Sequence, residues 1–252
     1  MLVTVVADYG TGDLAFAEVR QKIAQLLPSA EVNAVPVPAF DTVAAGFCVA
    51  QLAFGEGPQD RIVYANVAPR QDRDEPRAAN AGERLAAARL ESGVLVVGVA
   101  SGASLSFLAA EGVTVHAVDV ADHGSQFRSR DVFPDALAAL AAGDDTLLGD
   151  ELPVAPPPEH AVAYTDGYGN LKTTWDSAPA PVGTTVRVRI GEVEAEATVS
   201  DGVFEVRAGT MSFAPGSSGW NDHTWYELLA RGGNAARLFG DPRGGTPIEI
   251  VP

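Results

Sequence analysis

Several things are scarce in this chain of 252 residues, and each scarcity narrows what it can be. A single cysteine, Cys48, excludes an intramolecular disulfide and a cysteine-built zinc site, and its apolar surroundings read as core. Positive charge is short: 17 Lys and Arg face 33 Asp and Glu, a formal charge of -16. A field of that sign repels DNA, RNA and anionic membranes, so nucleic-acid and membrane partners are not expected. The lysines are Lys22 and Lys172 alone, and arginine carries the rest of the positive charge. No apolar run reaches the roughly 18 residues that a membrane span requires, and the first residues lack the basic segment of a secretory signal, so a cytoplasmic location is expected. His116, His123, His160 and His223 are scattered without metal-ligand spacing.

What is present is ample apolar material, 46% of residues, enough for a packed core. Residues 2 to 7, "LVTVVA", read as a buried strand, and a helix follows from Asp13 to Leu27 with apolar side chains at helical spacing. "AEVNAVPV" is strand-like, Asp41 can cap a helix carrying Val43, Phe47 and Leu52, and "RIVYANV" is another strand. Strand, helix, strand, helix, strand predicts an α/β domain with a mostly parallel sheet over residues 1–151. Within it, the alanines of residues 83–91 favour a helix, but the hairpin-like "ESG" before "VLVVGVA" favours two strands, which is the expectation, and a helix spans Phe133 to Ala142. Four prolines in "LPVAPPPEH", residues 152–160, mark a linker. Beyond it, over residues 161–252, short alternating runs between glycine turns predict a smaller all-β barrel, ending in a strand and a glycine-rich turn.

The stretch "VVADYGTGDLAF", residues 5–16, sets Asp8 at the mouth of a strand-to-helix turn. It lacks the third glycine of a dinucleotide fingerprint and the Lys-Ser/Thr of a phosphate loop. A carboxylate there repels pyrophosphate but can accept two hydrogen bonds from vicinal ribose hydroxyls, at the strand end where such sheets place ligands. Capping of the turn is the alternative role of Asp8. "DGYGNLKTTW", residues 166–175, sets a carboxylate, an aromatic face and an amide in one turn, as a ligand grip or a plain glycine hairpin. In "SQFRSRDVF", Arg130 and Asp131 suit a structural ion pair.

In this order the segments "ADYGTGD", "VPAFDTVAAGF", "IVYANVAPRQDR", "FRSRDVF", "DGYGN", "SSGW" and "GGNAARLFG" resemble the S-adenosyl-L-methionine hydrolase (hydroxide adenosyltransferase) family, which includes fluorinating and chlorinating adenosyl transferases. The resemblance implies a homotrimer with sites between neighbouring subunits, a nucleoside substrate, and no metal or redox cofactor. It implies that Asp8 holds the ribose hydroxyls and that Phe40 walls the sugar. Asp166, Tyr168 and Asn170 match the segment for the methionine end and nucleoside, Ser217 and Ser218 lie near methionine, and Asn234 and Ala235 contact adenine. The implied reaction is in-line attack on C5′ of the ribose, expelling methionine from the sulfonium of S-adenosylmethionine.

The chain departs from the family where water is activated. The positions of the hydrolytic Asp, Arg and His read Asn66, Arg73 and Arg128. Asn66 can orient water without taking its proton, and Arg128 stays charged at any accessible pH. Ser129 falls at the serine of the halide pocket of the halogenating members. Three expectations follow: hydrolysis to adenosine, adenosyl transfer to a halide or other anion, or nucleoside binding without catalysis.

Overall fold

The computed structural model describes residues 1–71, 74–121 and 123–252, and the chain divides into two compact units, Met1–Pro157 and Pro158–Pro252. In the first unit β1 (Leu2–Ala7), β2 (Glu31–Pro36) and β3 (Ile62–Asn66) alternate with α1 (Leu14–Leu26) and α2 (Thr42–Phe54). Both helices start where the sequence provides a carboxylate cap. The Asp13 side chain accepts from Ala15 N–H at 2.8 Å and the Asp41 side chain from Ala44 N–H at 2.9 Å, satisfying donors that the first helical turn leaves open. The unit continues with β4 (Leu85–Arg89), β5 (Leu95–Val99), α3 (Ser106–Ala110), β6 (His116–Val118), α4 (Arg128–Asp131), α5 (Phe133–Ala141) and β7 (Leu148–Glu151).

The sheet order is β2-β1-β3-β5-β4-β6-β7. The pairings β1–β2, β1–β3 and β3–β5 are parallel, whereas β4–β5, β4–β6 and β6–β7 are antiparallel. The expected α/β domain with a mostly parallel sheet is therefore corrected to a mixed sheet with few helices. The cause is local: only residues 90–94 join β4 to β5, with Leu90 N–H donating to Val94 O at 3.0 Å. A connection that short makes a hairpin, because a parallel return needs a crossover of a dozen residues or more. Alternate side chains of the sheet bury against α1 and α5: Val3, Val5, Tyr64 and Val97 pack with Val19, Ile23, Phe133, Leu137 and Leu140.

The second unit holds β8 (Val162–Thr165), β9 (Leu171–Thr173), β10 (Thr185–Ile190), β11 (Val193–Val199), β12 (Met211–Trp220), β13 (His223–Ala230), α6 (Ala235–Leu238) and β14 (Ile248–Val251). Its sheet runs β14-β10-β11-β12-β13-β9-β8, antiparallel except at β11–β12. The expected barrel is corrected too, to a half-barrel: its first and last strands form no ladder, although the Ala161–Pro247 bridge and backbone bonds from Val162 N–H to Thr246 O at 2.9 Å and from Ile248 N–H to His160 O at 2.7 Å tie their starts together. Leu171, Val188, Phe213 and Leu228 form the core, and "GGNAARLFG", expected as a turn, makes the short helix α6.

No helix among the described residues is long and apolar enough to cross a membrane.

Candidate functional site

The first unit carries a cleft of about 780 Å³ at the carboxyl ends of β1 and β3, the edge at which open sheets with parallel strands place ligands. Asp8, Phe40, Asn66, Arg128 and Ser129 all line it, although they come from distant parts of the sequence. Arg73 lies outside the described residues.

Asp8 follows β1 directly. Its Oδ2 accepts from Phe40 N–H at 2.9 Å, and among the described residues no protein donor meets Oδ1. Phe40 reaches this geometry at φ 63° and leaves its ring half exposed at the cleft mouth. A left-handed residue other than glycine costs on the order of 1 to 3 kcal/mol. The hydrogen bond to Asp8 offsets part of that strain.

Asn66 closes β3, and Ser129 lies in α4, 5% exposed. Tyr9, which the sequence reading left unassigned, donates from its hydroxyl to Ser129 Oγ at 2.7 Å. Tyr64, fully buried, donates to the carbonyl of the same residue at 2.8 Å. Burial pushes the Tyr9 phenol well above its ordinary range; the Asp8 charge adds to the rise, while hydrogen bonds with Ser129 and Asn66 oppose it. Burial raises Tyr64 likewise. Both phenols therefore stay protonated near neutrality and act as donors, not bases. Because Ser129 Oγ accepts from Tyr9, its own hydrogen is available to donate elsewhere.

Arg128 sets its guanidinium 5.5 Å from the centre of the Phe133 ring and against Gly82, where a Cβ would lie 1.6 Å from Nη2. Arg70, Arg77, Glu75 and Glu83 complete the charged lining. Glu83 had no sequence signal, yet it is 5% exposed and accepts from Arg70 N–H at 2.7 Å, with Arg70 at φ 62°. Arg130 and Asp131 form the expected structural pair at 2.6 Å, joined by Glu18 at 3.2 Å. The hydrogen bond from Arg130, with one from Ser125, holds the Asp131 carboxyl below its usual range.

In the second unit the remaining candidates form two groups. Asp166 Oδ1 accepts from Tyr168 N–H at 2.9 Å and Asn170 N–H at 3.0 Å, and Oδ2 accepts from Asn170 Nδ2 at 3.0 Å. This turn presents Tyr168 82% exposed. It meets the start of α6, where Asn234 accepts from Arg237 N–H at 2.7 Å and Ala236 N–H donates to Gly169 O at 2.9 Å. Gly169, at φ 82°, must be glycine on two counts, since a Cβ would also lie 2.1 Å from Asn234 Nδ2. Ala235, beside that cap, is fully buried.

Ser217 and Ser218 sit in β12 where its register with β13 shifts between Pro215 and Gly219. Ser217 N–H donates to Glu227 Oε1 at 2.9 Å, and Lys172 Nζ reaches the same oxygen at 2.6 Å and Ser217 Oγ at 3.3 Å. Ser218, next to Ser217 in sequence, is also buried. No cluster of three His, Cys, Asp or Glu residues among the described residues is placed to hold a metal ion.

The sequence matches no protein-family model and no curated protein. The fold matches solved structures along nearly its whole length. An uncharacterized conserved protein from Thermotoga maritima aligns with a TM-score of 0.77 at 21% identity, over 99% of this chain and 100% of its own. A conserved hypothetical protein from Thermus thermophilus aligns with a TM-score of 0.68 at 26% identity, over 99% of both chains. The shared fold is a two-sheet architecture, and neither description carries an activity.

Proposed function

We propose that the chain binds S-adenosylmethionine and catalyses substitution at C5′ of its ribose by water, giving adenosine and methionine. The observation that carries this reading is Asp8, which lines the cleft: one carboxylate oxygen is fixed by Phe40 N–H, and the other meets no protein donor among the described residues. Two vicinal hydroxyls suit that free edge, whereas a phosphate is repelled by it. Among the described residues the charges of the lining balance, with Asp8, Glu75 and Glu83 against Arg70, Arg77 and Arg128. At an effective dielectric of about 20, a cation 6 Å from the sulfonium costs roughly 3 kcal/mol, and a carboxylate at equal range offsets it. Neutral methionine is a good leaving group from a sulfonium, so holding water in line supplies much of the rate.

A second reading, transfer to a halide or other anion, draws on Ser129 and Arg128, whose O–H and N–H groups are donors on one wall. Incubation with S-adenosylmethionine, with and without chloride, followed by chromatography, separates the readings. Adenosine alone supports hydrolysis, a 5′-halo-5′-deoxyadenosine supports transfer, and adenosine binding without turnover leaves a nucleoside-binding protein. The homotrimer that the resemblance implies belongs to the same proposal and is checked by sedimentation equilibrium.

A further inference from the structure

We propose that Glu83 is the general base that takes the proton of the attacking water, in place of the carboxylate that the chain lacks at Asn66. This rests on the cleft being a C5′ substitution site, and it supplies the group that makes water competent there.

The mixed sheet is what brings Glu83 to the cleft. β4 runs antiparallel to β5, pairing Leu85 with Val99 and Arg89 with Leu95. It therefore starts at the edge where β1, β3 and β5 end, and Glu83, two residues ahead of it, joins the row of Asp8, Asn66 and Val99. One strand, β5, stands between β3 and β4, so their backbones are about 10 Å apart. A glutamate side chain and one water span such a gap.

Glu83 is 5% exposed and still lines the cleft. Its Oε1 is anchored by Arg70 N–H, while among the described residues no protein donor meets Oε2. This repeats the arrangement at Asp8. In each case a residue held left-handed, Phe40 or Arg70, turns its N–H onto one oxygen of a cleft carboxylate. A buried carboxylate with a single donor is costly to keep without a further partner, and a bound water donating to Oε2 is such a partner. The neighbouring Gly82 lies against the Arg128 guanidinium, so the segment carrying the base also positions the cation of this wall.

The other groups of the cleft are less suited. Asp8 is engaged with the ribose, Glu75 is solvent-exposed, and Tyr9 and Tyr64 are held protonated by burial. In the step itself, a lone pair of the water oxygen forms the bond to C5′ as the C5′–S bond breaks with its electron pair on sulfur. One water proton passes to Glu83 Oε2 and then to solvent; the other remains on the new 5′-hydroxyl. Asn66 and Ser129 orient the water.

The test compares wild type with Glu83→Gln, which keeps an oxygen for Arg70 N–H, using water and azide as nucleophiles and a thermal melt as the check on folding. Azide needs no deprotonation. Hydrolytic kcat should fall about 10²- to 10⁴-fold with KM nearly unchanged, while 5′-azido-5′-deoxyadenosine still forms at the wild-type rate. Undiminished hydrolysis in Glu83→Gln, or equal loss of both products, overturns the role of Glu83 alone. A wild type that cleaves S-adenosylmethionine with neither nucleophile overturns the reaction and the base together.

Discussion

Replacing Asp8 with Asn isolates the contact on which the functional reading depends. The aspartate can serve Phe40 N–H with Oδ2 and two ribose hydroxyls with its other lone pairs. The asparagine has one acceptor oxygen for the same three donors. With that oxygen on Phe40 N–H, an NH2 group faces the hydroxyls, and two charge-assisted bonds give way to one neutral bond. Bonds to a charged acceptor are worth about 1.5 to 3 kcal/mol each against about 1 for a neutral one, so the net loss is roughly 2 to 5 kcal/mol. Adenosine binding, followed by titration calorimetry, should weaken about 30- to 4,000-fold. The coupling is specific. Wild type should bind 2′-deoxyadenosine worse than adenosine, and Asp8→Asn should discriminate far less, because the missing hydroxyl and the missing carboxylate act on one bond. Equal adenosine affinity in the two proteins, or undiminished discrimination in the variant, would refute the ribose role and return Asp8 to a turn cap.

Two further outcomes concern stability. Lys172 and Glu227 form an ion pair with side chains 9% and 3% exposed; Lys172→Met strands the carboxylate and should cost about 3 to 5 kcal/mol in urea unfolding, whereas Lys172→Met with Glu227→Leu should recover most of it, and equal losses would refute the pairing argument. Tyr9 and Tyr64 are raised above the ordinary tyrosine value, so the unfolded chain loses those protons first: their contribution is full below about pH 10 and is lost as pH rises beyond it. The melting temperature should therefore fall more steeply above about pH 10 in wild type than in Tyr9→Phe, and parallel slopes would contradict the burial effect.

The elements of the first unit were legible where chemistry is local. Asp13 and Asp41 each precede an apolar periodic run, and each caps its helix. Strand direction was not, because one short connection controls it. The "ESG" turn pointed to two strands, but its consequence is global: once β4 turns back on β5, β6 and β7 add antiparallel and the parallel sheet stops at three pairings. Closure of the second sheet depends on whether β8 and β14 meet, a contact between segments at opposite ends of the unit that no turn signal encodes. The helix α6 has four residues, too few for a 3.6-residue period to appear.

The site was legible to the extent that its residues sit in short motifs, and it was incomplete for the same reason. Asp8 and Asp166 look alike in the sequence, each an aspartate before glycines at a strand end. The structure separates them by what their oxygens already do. Asp166 directs both oxygens to the backbone and amide of its own turn, which alone accounts for the letters Asp-Gly-Tyr-Gly-Asn. Asp8 has one oxygen held by Phe40 and one open. Glu83 shows that same half-held state, 13 residues from the Arg70 that anchors it, with neither a turn signature nor a motif around it. A carboxylate satisfied on both oxygens by its own turn explains its presence without a ligand. One that a left-handed residue fixes on a single oxygen, beside a cleft, does not, and that difference makes Asp8 and Glu83 the residues whose substitution is most informative.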